Sequence, residues 1–74
     1  MKKTMKYAIV IERGPTSYGA TVPDLPGCVA VGESLAEVQL LIREAIDAHV
    51  AFLRDEGQAV PEPVTQVDDV DVVA

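Results

Sequence analysis

Apolar and polar positions alternate from Lys6 to Glu12, with Tyr7, Ile9 and Ile11 on one side and Ala8 and Val10 on the other. A period of two predicts a strand. The glycine and proline of Arg13-Gly14-Pro15-Thr16-Ser17 then punctuate a turn, and Tyr18 to Val22 predicts a second strand, antiparallel to the first. Pro23-Asp24-Leu25-Pro26-Gly27 cannot continue it, because two prolines remove ladder donors; Pro26-Gly27 suits a type II turn. Cys28 to Val31 predicts a short third strand, with Val29 and Val31 alternating against Cys28, Ala30 and Gly32.

The period changes at Ser34-Leu35-Ala36-Glu37, a capping box in which the Ser34 oxygen accepts from the Glu37 amide and the Glu37 side chain reaches back to the Ser34 amide. A helix from Leu35 to about Glu56 follows, closed by Gly57 and by Pro61 beyond it. Leu35, Val38, Leu41, Ile42, Ala45, Ile46, Ala48, His49, Phe52 and Leu53 form its apolar stripe, which is expected to pack across one sheet face. Leu40, Val50 and Ala51 interrupt the polar side and are candidates for contact with a partner. Past the extended Gln58–Pro63 connection, Val64 to Val73 carries an imperfect alternation. It is expected to be an edge strand, ordered by pairing with another chain, or an acidic tail.

The expected fold class is therefore α+β: a three- to four-stranded antiparallel sheet with one long helix on one face, in the order β-β-β-α-β. Residues 1–74 make one domain, with 1–5 as a flexible N-terminus. A chain this short is marginal by itself, and one cysteine excludes an internal disulfide. Stability then points to association, as a homodimer or higher oligomer. The apolar run Tyr7–Ile11 stops at Glu12, too short for an export segment or a membrane span, so the cytoplasm is expected.

Charge placement adds more than the net −6 does. Residues 1–54 hold all six lysines and arginines and six of the twelve acids; the other six acids (Asp55, Glu56, Glu62, Asp68, Asp69 and Asp71) lie in the last twenty residues. Such a segment disfavours direct nucleic-acid binding and suits a basic protein partner.

Little here can catalyse. There is no phosphate-cradling glycine loop, no G-x-S-x-G, no H-E-x-x-H and no C-x-x-C. His49, the only histidine, falls within the apolar stripe and reads as a core or interface residue. Cys28 reads as a small buried side chain. Glu44 and Asp47 beside Arg43 read as a solvated face, and Asp68, Asp69 and Asp71 lack the spacing of a calcium loop. No enzyme activity, cofactor or metal is expected. The Pro23–Gly27 turn offers Asp24 and Leu25 on a rigid frame, which lowers the entropy cost of binding through them.

The ordered set Pro23-Asp24-Leu25-Pro26-Gly27-Cys28, Gly32-Glu33-Ser34, Ala36-Glu37, Glu44-Ala45, Gly57 and Pro61-Glu62-Pro63 resembles the toxin-neutralising domain of HicB-type antitoxins, from about Lys6 to Pro63. The resemblance implies a reduced ribonuclease H-like fold and the sequestration of a small basic mRNA-cleaving toxin of the HicA type. Nuclease activity is not carried over, since the carboxylates it needs are missing from sensible strand positions. Many full antitoxins of this kind add a C-terminal DNA-binding domain; the sequence ends after the expected fourth strand, so direct operator binding is not expected. The contact residues expected for a partner are Asp24, Leu25, Leu40, Val50, Asp68, Asp69 and Asp71. The alternative is a homo-oligomeric binding domain with no toxin.

Overall fold

The structure, a computed structural model, describes residues 4–74. Three strands, β1 (Val10–Arg13), β2 (Tyr18–Thr21) and β3 (Val29–Gly32), form an antiparallel sheet in the order β1-β2-β3, followed by one helix, α1 (Leu35–Asp55). The α+β class holds, with an open three-stranded sheet. No strand forms between Val64 and Val73: residues 58–74 carry no regular secondary structure and pair with none of the three strands. The expected flexible N-terminus falls partly on residues 1–3, outside the described residues; Met5 is half-buried.

β1 is shorter at its start than the alternation from Lys6 predicts. The pairing Val10↔Thr21 and Ile11↔Ala20, carried backwards, sets Ala8 against Pro23, which has no N–H to give. The Pro23–Gly27 segment is a pair of linked turns. Leu25 N–H donates to Val22 O at 3.0 Å and Cys28 N–H to Leu25 O at 3.0 Å, with Gly27 at φ 84° as the type II turn requires.

The helix is closed at both ends by its own sequence. Ser34 Oγ accepts from Glu37 N–H at 3.1 Å, while Glu37 Oε1 accepts from the Glu33 amide at 2.9 Å, one residue earlier than the capping box predicts. At the other end Gly57 N–H donates to Arg54 O at 3.1 Å and Gln58 N–H to Leu53 O at 2.8 Å, with Gly57 at φ 67°. That is the Schellman pattern, which only a residue tolerant of positive φ closes cheaply.

The core is Ala20, Val22, Leu25, Cys28, Val38 and Ile42. The sheet presents its small residues to the helix (Ala20, Ala30 and Gly32) and α1 lies over β3 and β2 without reaching β1. A Cβ built on Gly32 would sit 2.8 Å from Val38 N, so helix and strand meet almost backbone to backbone there. The buried side of α1 matches the expected apolar stripe at its middle and departs from it at one flank. Val38 and Ile42 are fully buried and Val50 packs on the core, whereas Leu35, Ala48 and Phe52 are exposed. A helix of this length runs about 31 Å and a four-residue strand roughly 13 Å, so the C-terminal half of α1 overhangs the sheet.

The Gly32 contact yields a stability prediction. Gly32→Ala is expected to lower unfolding stability by about 1–3 kcal/mol, since neither backbone at that crossing can move freely. A urea titration followed by helical circular dichroism measures it; an unchanged midpoint would show that the crossing has slack.

Candidate partner-binding surface

Three surfaces remain uncovered once the core is formed: the outer sheet face, one flank of the helix, and the segment after Pro63. The outer sheet face carries the residues that alternate with the small ones. Val10, Val29 and Val31 are 44%, 59% and 66% exposed and, with Glu12, Gly19 and Thr21, line a shallow depression of about 260 Å³. Sequence reasoning noted the Val29/Val31 alternation but could not say which face the helix takes. Phe52 and Leu40, each 57% exposed, stand outward on α1.

The seven residues expected to contact a partner do not form one patch. Leu25 is fully buried, so it supplies core packing and has no surface to offer. Val50 is half-buried and lines a groove of about 250 Å³ with Met5, Tyr7, Ile46, Asp47, Ala51 and Arg54, so it does not share the outward position of Leu40. Asp68, Asp69 and Asp71 are all exposed, on the segment that leaves the body.

Asp24 has a different and specific task, which the sequence did not reveal because its partners lie forty residues away. Its Oδ2 accepts from the backbone N–H of Val64 at 3.1 Å and of Thr65 at 3.0 Å, and its Oδ1 accepts from Thr65 Oγ1 at 2.9 Å. Thr65 N–H, above all, holds the Asp24 carboxyl below the ordinary 3.8, assisted by Thr65 Oγ1 and Val64 N–H. Nearby, Tyr7 OH donates to Pro61 O at 2.6 Å. Burial, then the carboxylates of Glu62 and Asp24, raise the Tyr7 hydroxyl.

The chain after the helix is thus fastened at Pro61 and at Val64–Thr65, and beyond Thr65 it is an arm. Val67, Val70, Val72 and Val73 are 78–102% exposed. The radius of gyration is 14.2 Å, against about 11 Å for a compact chain of this length.

His49 is half-buried on the helix, and burial pushes the Cys28 thiol up, away from the reactive thiolate. Among the described residues no group of three His, Cys, Asp or Glu side chains is placed to hold a metal ion, and no helix is long and apolar enough to cross a membrane.

An open α+β module with exposed apolar and acidic surfaces is the build of a protein-binding domain. The chain belongs to the HicB-like antitoxins of bacterial toxin–antitoxin systems, whose family pattern matches residues 7–72. It is 36% identical over 64 residues to an uncharacterised 14.9 kDa protein of Haemophilus phage HP1, covering 84% of this chain and 48% of the phage protein. It therefore spans about half the length of that relative. It is also 34% identical to a UPF0150 protein of Thermoplasma acidophilum (77% of this chain, 84% of the relative) and 35% identical to one of Archaeoglobus fulgidus (85% and 96%).

The Asp24 clamp titrates with a definite sign. Its bonds exist only while the arm root is attached, so the carboxyl pKa is lower attached than free. The contribution of Asp24 to attachment is fully present above pH 3.8 and is lost as pH falls through the lowered value. Asp24→Ala is expected to speed exchange of the Val64 and Thr65 amides about tenfold at neutral pH, with helix amides unchanged. Amide exchange by NMR reads both; protection of Val64 and Thr65 that survives the substitution would show the root is held elsewhere.

Proposed function

We propose that this protein neutralises a small basic mRNA-cleaving toxin of the HicA type by binding it and covering its working surface, in the cytoplasm and without turnover. The observation that carries this reading is the placement of acid. The part of the chain up to Arg54 is formally neutral, and the whole net −6 lies in the last twenty residues. Asp68, Asp69 and Asp71 sit there on an exposed arm. A concentrated negative segment on a neutral body steers a cationic partner and fixes its orientation, and it repels the phosphates of nucleic acid. Family membership supports a toxin as that partner.

The Asp24 clamp contributes by fixing where the arm leaves the body, which lowers the ordering cost when the partner binds. Leu40, exposed on α1, supplies apolar contact at a separate place. Leu25 is left out of this surface because it has no exposure.

Replacing Asp68, Asp69 and Asp71 together by asparagine is expected to weaken capture of the toxin encoded beside this protein by about ten- to a hundredfold. Wild-type affinity should fall with added salt more steeply than that of the triple variant. Calorimetry at two salt concentrations and rescue of growth on co-expression test it. Full rescue by the triple variant, with unchanged affinity, would remove the acidic arm from the mechanism; absence of any binding to that toxin would remove the proposed function.

A further inference from the structure

The outer edge of β1 is unused by the chain's own fold. Two bonds fix the phase of the ladder: Gly14 N–H donates to Ser17 O at 2.8 Å and Val22 N–H to Cys28 O at 3.3 Å. Hydrogen-bonded positions recur at every second residue of an antiparallel pair. Val10 and Glu12 therefore turn their N–H and C=O toward β2, while Ile11 and Arg13 turn theirs outward, and the same phase carried back before the strand assigns Ile9 and Tyr7 to the outward set. α1 does not reach over this strand, and Ile9 and Val10 are 38% and 44% exposed. Strand-forming alternation begins at Lys6, yet β1 begins at Val10. The stretch from Lys6 to Ile9 thus has strand character without a strand partner among the described residues.

We infer that this edge pairs antiparallel with the same edge of a second copy, about a two-fold axis through Ile9, to make one six-stranded sheet. The sequence of the edge is complementary to itself in that register. Ile9 faces Ile9, Tyr7 faces Ile11, Ala8 faces Val10, and Lys6 faces Glu12, the last three each occurring twice. The residues that meet as hydrogen-bonded pairs (Tyr7 with Ile11, Ile9 with Ile9) are those whose backbone groups point outward. Lys6 and Glu12 lie on the outer face with Val10, so opposite charges close both ends of the pairing. Moving the axis to Val10 sets Lys6 against Gly14 and loses both ion pairs. A two-fold interface requires this kind of self-complementarity, and pairing removes the exposed edge that a small sheet otherwise carries. The inference stands apart from the toxin reading, since it uses neither the acidic arm nor the family.

The full chain is compared with three variants by sedimentation equilibrium over a range of concentrations. Glu12→Lys sets like charges against each other twice and is expected to raise the dimer dissociation constant about tenfold or more. The double variant Lys6→Glu, Glu12→Lys restores the pairing with signs exchanged and is expected to return it to within about threefold. Ile9→Pro removes an outward N–H that the monomer does not use; it is expected to abolish the dimer while helical circular dichroism is retained. Three results overturn the inference: a wild-type monomer at every concentration, including one that pairs only with an added basic protein; a dimer indifferent to Glu12→Lys; or a charge exchange that fails to restore it.

Discussion

The fold depends on how closely α1 approaches the sheet. Gly32 lets the helix backbone at Val38 come within van der Waals contact of β3, and Ala20 and Ala30 extend that shallow inner face. With so little side-chain depth between the layers, two helix residues, Val38 and Ile42, suffice to fill the gap. Leu25 closes the end of the layer from the proline turn, which explains why a loop residue is fully buried. Burying such a leucine contributes about 1.5–3 kcal/mol, a large share for a domain of this size.

The same constraint decides what faces outward. Since β-strand side chains alternate, the helix on the Ala20, Ala30 and Gly32 face leaves Val10, Val29 and Val31 on the uncovered one. The apolar surface that a larger domain would enclose is here presented to solvent. Exposed apolar area of this kind on a small domain marks an interaction surface, and it accompanies an exposed strand edge and an overhanging helix end. Each follows from one short sheet carrying one long helix.

Much of this was legible in the chain. The strand–strand–strand–helix order, the Pro26-Gly27 turn, the Ser34 cap and the Gly57 stop follow from local chemistry, where a few residues settle the backbone. Three things were not legible. Which sheet face the helix covers depends on the approach at Gly32, a tertiary contact, so the apolar pattern alone includes Leu35, Ala48 and Phe52, which are exposed, and leaves out Val50, which packs on the core. The role of Asp24 depends on Val64 and Thr65, whose sequence distance hides the pairing. The Val64–Val73 alternation reads as a strand, but a strand needs a neighbour, and the chain supplies none at the place where the arm leaves the body.

The arrangement also separates two kinds of binding surface. Self-pairing along β1 needs directional backbone bonds and a register fixed to one residue, which rigid strands provide. Capture of a cationic partner needs charge that is reachable from solution but not free to wander, since every disordered residue adds entropy cost on binding. The Asp24 clamp meets that second need by spending a carboxylate on the arm's own amides. That one carboxylate is held ionised by hydrogen bonds within the chain, and the three beyond it, Asp68, Asp69 and Asp71, remain exposed on an arm whose origin is fixed. Shape and sign at a fixed point on a surface are the properties by which one protein can occlude a complementary one selectively.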